Sequence, residues 1–242
     1  MTTFGPSDDL RDARFTDADL RGARFTGSDL SGAMLRGVEL QRVELDSPWL
    51  FEGGNVLLVN GVDVLPFVEA ELNRRFPGRA ERQAGDPDGL RAAWAAVGST
   101  WAATVERVAA MPDGTVDRPV DGEWSFAQTL RHLVLATDLW LGKAVLDLDE
   151  PMHPIGLLYS GAEFSLPPVT PSYAEVLEVR AGRMAMVGEF LATVTPEVLA
   201  EPRRNPHAPE REETVLHCLH VILEEEWEHH RYAVRDLDAV TS

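Results

Sequence analysis

The feature that most constrains this chain is a strict period of five across its first 45 residues. Leu10, Phe15, Leu20, Phe25, Leu30, Leu35, Leu40 and Leu45 recur at that spacing. A small or β-branched side chain stands two residues before most of them: Ala13, Ala18, Ala23, Ser28, Ala33, Val38 and Val43. Charged residues fill much of the rest. The spacing fits neither a helix, at about 3.6 residues per turn, nor a strand, at about 2. A chain that turns a corner every five residues would point each Leu or Phe inward, with the small side chain sharing a narrow interior.

The units DADL and GSDL resemble the A-D-L-x-x unit of the pentapeptide-repeat family, over about residues 6–45. The resemblance implies a right-handed, four-sided β-helix, and so short an array makes only about two coils and needs neighbours to cover its ends. Some members of that family mimic DNA. Here eight acidic residues nearly balance six arginines, so a structural or docking role is the expectation.

Beyond the repeats, NVLLVNGVDV at 55–64 reads as two strands around the turn pair Asn60-Gly61. LPFVEAELNRRF follows with Phe67, Val68, Leu72 and Phe76 on one helical face, and Pro77-Gly78 stops it. The polar run 79–88 reads as a linker. These features divide the chain into a repeat domain at 1–50, a hairpin, helix and linker at 51–88, and a helical domain at 89–242.

That last domain shows four amphipathic helices. The first, 89–111, carries Leu90, Trp94, Val97, Trp101, Val105 and Val108 on one face, with Asp88 as its expected cap. The second starts at Ser125 with Gln128 three residues on, a capping-box spacing, and runs to about Leu146. The third follows Thr170-Pro171-Ser172 and reaches about Val194, and the fourth spans about Thr214 to Leu237. With no strand signal between them, the expected fold is mainly α: a four-helix bundle behind a two-coil β-helix. The connection from about 147 to 169, with Pro151, Pro154, Gly156, Gly161, Ser165, Pro167 and Pro168, is long enough to suggest a functional loop.

The net charge of −18 disfavours nucleic acid and anionic membrane as partners. No run approaches the roughly 18 apolar residues of a membrane span. The N-terminal stretch is acidic and lacks the apolar segment of a signal peptide, so a cytoplasmic location is expected. Cys218 is the only cysteine, which excludes an internal disulfide. All but one of the 22 basic residues are arginine, Lys143 being the exception, a coding bias of GC-rich genomes such as those of actinobacteria.

The candidate chemistry lies in the fourth helix. Its stripe runs Leu216, Leu219, Leu223, Glu226, His230, Val234 and Leu237, so Glu226 and His230 stand where Leu or Val would continue the seam. An i, i+4 pair brings its side chains together. A buried carboxylate is costly unless it is paired or ligated. Glu225 and His229 form a second such pair, and at most one pair can face the core. His132 lies among apolar residues of the second helix, and with Glu226 and His230 it would supply three ligands and leave a position open, as catalytic zinc sites do. A metal-free alternative pairs Glu226 with His132 or His230.

Residues 89–240 resemble the DinB/YfiT-like superfamily, through the histidine of RHL in the second helix and the run EHHRYAV in the fourth. Many members end in His-x-x-x-His followed by Arg, and His230-Arg231 is similar to that ending. Glu226 in place of the earlier histidine resembles the mycothiol-dependent maleylpyruvate isomerases, whose metal triad is His, Glu, His. The resemblance implies His132, Glu226 and His230 as ligands of a divalent zinc or nickel, and a low-molecular-weight thiol, mycothiol in actinobacteria, as cosubstrate with a small electrophile. The function expected is metal-dependent thiol transfer or isomerisation. The alternative is a non-catalytic metal-binding or interaction module, a homodimer with a structural metal closed by a fourth ligand such as His153 or His229. Arg131, Arg180 and Arg183 are candidates for a carboxylate, weighed against solvated helix faces. His217, His220 and Cys218 are read as structural.

Overall fold

The computed structural model describes residues 3–5, 7–51, 53–158 and 168–241. Of the expected long loop, Gly161, Ser165 and Pro167 lie outside the described residues. The chain divides into two compact units, Met1–Asp46 and Ser47–Ser242.

In the first unit the period of five is written into the backbone. Positive φ recurs at Asp12, Asp17, Gly22, Gly27, Gly32, Gly37 and Arg42, each two residues after a central Leu or Phe. Amide donors at Ala13, Ala23 and Ala33 reach the carbonyls of Leu10, Leu20 and Leu30 at 2.9–3.1 Å. A positive φ at the third position of such a turn is the requirement of a type II turn, which explains the four glycines there. Among the described residues of this unit no strand is assigned. The central side chains do not close an interior: from Leu10 to Leu45 they remain 44–69% exposed. A repeat cannot bury its apolar face alone, and eight repeats supply few neighbours.

The second unit opens with the Asn60-Gly61 hairpin. Strands β1 (Leu58–Val59) and β2 (Val62–Asp63) pair antiparallel, and both turn residues take positive φ. Helix α1 (Leu65–Arg75) follows. The run expected to be a linker is a structural element instead. Arg79–Gln83 form a 3-10 turn, and Arg79 and Arg82 are buried against glutamates of the last helix. Charge complementarity at long range, invisible in a local reading, converts a polar stretch into part of the core wall.

Helix α2 (Pro87–Ala109) is capped by Asp86, not by Asp88: the Asp86 carboxylate accepts from the amides of Asp88 and Gly89, and Pro87 occupies the first helical position, where its missing N–H costs nothing. Helix α3 (Phe126–Thr137) carries the expected capping box, with reciprocal bonds between Ser125 and Gln128. It runs straight into a π-helical segment, Asp138–Val145. Helix α4 (Tyr173–Thr193) is capped by Ser172 and Glu175. A short α5 (Pro196–Leu199) and a hairpin of β3 (Pro202–Arg204) and β4 (Glu212–Thr214) then lead to α6 (Val215–Thr241). That hairpin had no period-two apolar signal to announce it.

Helices α2, α3, α4 and α6 pack on one another around a single core. Leu90, Trp94, Val97, Trp101 and Val108 of α2 are buried, as the stripe predicts, against Leu130, Leu133 and Val134 of α3 and Leu219, Ile222 and Leu223 of α6. No described helix is long and apolar enough to cross a membrane.

Candidate metal centre

The acidic run of α6 places four glutamates at successive angles around the helix, and each meets a different partner. Glu224 accepts from Arg82 Nε at 2.6 Å. Glu226 is fully buried and paired with Arg180 of α4. Glu228 is buried between Arg79, at 3.3 Å, and Arg231, at 2.9 Å. Glu225 alone of the four has no arginine: among the described residues its carboxylate meets only histidines, His132 Nε2 at 3.3 Å and His229 Nδ1 at 3.2 Å.

The structure therefore differs by one residue in register from the set His132, Glu226 and His230. It does not bring Glu226 or His230 to His132. Candidate ligand atoms of His132, Glu225 and His229 lie within 4.8 Å of one another, the one such cluster among the described residues. The physical reason is the arginine on α4. Of the two alternatives for Arg180, a carboxylate partner or a solvated face, the structure has the first: Arg180 is buried, and it claims Glu226. His230 turns the other way. Its Nε2 pairs with Thr104 Oγ1 at 2.8 Å, and its ring lies edge-on to Trp101 at 5.0 Å between centroids. Burial pushes its pKa down to about 4, so it is a neutral core imidazole.

The tautomers around the cluster are set by hydrogen bonds. His132 Nδ1 lies 3.2 Å from the Leu157 carbonyl, which can only accept, so Nδ1 carries a proton and Nε2 is the atom turned toward Glu225. His229 Nδ1 lies 2.9 Å from the carbonyl of Glu225, one helical turn back, which leaves its Nε2 as the lone-pair atom. Burial pushes His229 down to about 4, with the neighbouring His132 adding to the effect and Glu225 opposing it. Burial raises the Glu225 carboxyl, but hydrogen bonding and charge from His132 and His229 outweigh it and hold the group below the ordinary carboxylate range. At neutral pH His229 is thus a neutral imidazole and Glu225 a carboxylate, the protonation states that metal ligands need.

A metal also resolves what the protein leaves open. Glu225 is about a third exposed as a side chain (31%), yet its Oε2 is buried and makes no hydrogen bond of good geometry among the described residues. His132 Nε2 stands 3.3 Å from that oxygen, so a cation or proton shared between the two would satisfy both. Two ligands each ~2.0–2.2 Å from a tetrahedral zinc stand roughly 3.4 Å apart, close to the 3.3 Å observed between Nε2 and Oε2. The donor set fits a divalent ion.

Trp124 walls the cluster, its ring 4.6 Å from that of His132 and stacked 6.1 Å from that of His229. His153 is not a member. Its amide donates to Asp138 and its Nδ1 accepts from the Ile155 amide at 3.2 Å. Arg183, like Arg180, is withdrawn from solvent, paired with Asp138. Arg131 donates through Nε to the Ile155 carbonyl at 2.8 Å. Cys218 is fully buried, and desolvation raises its thiol to about 11, which fits a packing role.

Fold and cluster together define a helical domain with a His, Glu, His centre competent for a divalent cation. The chain belongs to the DinB superfamily, whose sequence model matches residues 96–233. Eight pentapeptide repeats precede that domain, at residues 9–46. No curated protein and no solved structure matches the chain.

Proposed function

We propose that this protein binds one divalent cation, zinc or nickel, on His132, Glu225 and His229, within a four-helix bundle, and uses it in transfer or isomerisation with a low-molecular-weight thiol of the mycothiol type. The observation that carries the reading is Glu225. Every other acidic side chain of the run Glu224–Glu228 is neutralised by arginine, and this one meets only the imidazoles of His132 and His229 among the described residues. The bound ion would lower the pKa of a coordinated thiol or water and so supply a nucleophile near neutral pH. The chain's own residues do the rest. His132 and His229 would offer imidazole nitrogens and Glu225 the single carboxylate, and Trp124 excludes water from one flank. A small electrophile would be the second substrate, and the cytoplasm, where thiols stay reduced, is the location that suits it.

The test is a cobalt(II) titration of the purified protein followed by addition of mycothiol or a truncated analogue. A thiolate-to-cobalt charge-transfer band on thiol addition, absent in Glu225→Ala, is the expected result. A cobalt site whose spectrum ignores the thiol rules out thiol chemistry.

A second reading has its own support. The central Leu and Phe side chains of the repeats are exposed to solvent one after another along the array. A run of exposed apolar side chains is a mark of interaction surfaces. In that reading the repeats, as a two-coil β-helix, dock a partner or a second copy, and the metal is structural. It gains if cobalt binds but no thiol reaches it.

A further inference from the structure

Asp138 is a buried carboxylate immediately after α3, and among the described residues its side-chain partners lie outside the metal cluster. It opens the π-helical segment, six residues after His132 and seven after Arg131, so it shares a helix face with Arg131. Its side chain is paired with Arg183, and its other oxygen accepts the amide of His153 at 2.8 Å. From that anchor the chain is tied stepwise to the metal site. The Ile155 amide donates to His153 Nδ1 at 3.2 Å. Arg131 Nε donates to the Ile155 carbonyl at 2.8 Å, and the Leu157 amide donates to the Arg131 carbonyl at 3.2 Å. The Leu157 carbonyl then accepts from His132 Nδ1.

We propose that Asp138, held by Arg183, is a positioning residue for the metal site: by fixing segment 153–157 it aims the Leu157 carbonyl at His132 Nδ1, and so sets both the tautomer and the ring orientation of that ligand. The inference rests on His132 being a ligand. Its physical basis is general. A ligating histidine donates its second N–H to a carbonyl or carboxylate, and loss of that partner weakens metal binding by about 10- to 100-fold. Here the partner is a loop carbonyl, which cannot hold its own position; among the described loop residues Ile155 is buried and Met152 and Leu158 pack partly buried on the core, and none of these apolar contacts fixes the direction of a carbonyl. A buried carboxylate is a costly way to fix a loop unless the position of the loop matters.

The experiment measures zinc affinity by chelator competition in full-length wild type, Asp138→Ala and Asp138→Asn, with thermal melts to establish folding, and reads the His132 tautomer in the metal-free proteins by nitrogen-15 NMR. Wild-type His132 should be protonated on Nδ1. Asp138→Ala should bind zinc about 10- to 100-fold more weakly and lose that single tautomer. Asp138→Asn, whose amide oxygen still accepts the His153 amide, should fall between. A folded Asp138→Ala with wild-type affinity and tautomer overturns the proposal, and so does an Nε2-protonated His132 in wild type. If Asp138→Ala does not fold, Asp138→Asn and the wild-type tautomer decide. If wild type binds no zinc, the metal reading fails by itself, and the tautomer comparison still shows whether Asp138 sets His132.

Discussion

At the scale of single residues, burial and partner choice decide everything in α6. The stripe through Leu219, Leu223, Glu226, His230 and Leu237 does face the interior, and Glu226 and His230 are among the buried polar residues of the chain. What the sequence could not show is which neighbour each would meet. One residue along a helix is a rotation of about 100°, and only the placement of α3 and α4 assigns Arg180 to Glu226 and His132 to Glu225. His132 was legible because a histidine inside an apolar helix needs a reason. The spacing of four was legible too, but not which of its two registers. The Arg180 pairing carries a prediction. Arg180→Met leaves Glu226 buried without its cation and should destabilise the fold by about 3–5 kcal/mol in urea unfolding, while Arg180→Met combined with Glu226→Met should recover most of the loss. Cys218 carries a second. Its thiol is raised by burial to about 11 from 9.0, so the folded state holds its proton more tightly than the unfolded state. The contribution is intact below pH 9 and lost as pH rises from 9 toward 11, whereas Cys218→Ala should remove that part of the alkaline decline. Iodoacetamide at pH 8 should label Cys218 only after denaturation, and rapid labelling of the native protein would contradict the assignment.

At the scale of elements, short-range signals are legible in the sequence and long-range ones are not. Asn60-Gly61, the Ser125–Gln128 capping box and the α2 stripe are short-range devices, and all appear where their chemistry requires. The 3-10 turn at Arg79–Gln83 is held by ion pairs to Glu69 on α1 and to Glu228 and Glu224, 149 and 142 residues from Arg79 and Arg82, and a local window reads it as polar linker. The π-helical Asp138–Val145 also had no local signature, because its register answers to contacts with α6 and to the buried Asp138–Arg183 pair. Gly78 joins α1 to the 3-10 turn with φ +95°, and a Cβ there would stand 2.7 Å from Cβ of Ala96 on α2 and 3.4 Å from the Trp227 ring on α6. Gly78→Ala should therefore cost about 2–4 kcal/mol by the combined conformational and overpacking penalties, measured by chemical denaturation. A near-neutral result would mean that the turn yields without disturbing either helix.

For the whole molecule, the two units answer to different physics. The repeats announce themselves by period, yet a pattern predicts an interior only if enough neighbours exist to close it, and the central Leu and Phe side chains here stay exposed. The helical unit has one core, assembled wholly from residues between Leu65 and Leu237. A protein beginning at Ser47 should accordingly fold alone and melt cooperatively within a few degrees of the full chain by circular dichroism. A collapse of the transition would show that the repeats contribute to that core's stability. The central claim concerns this unit's metal. The most direct measurement is metal content by mass spectrometry of purified protein, supplied with zinc, in wild type, His229→Ala and His230→Ala. About one equivalent is expected in wild type, with loss in His229→Ala and retention in folded His230→Ala. Metal retained in His229→Ala but lost in His230→Ala would restore the neighbouring register of α6, and no metal in wild type would contradict the site altogether.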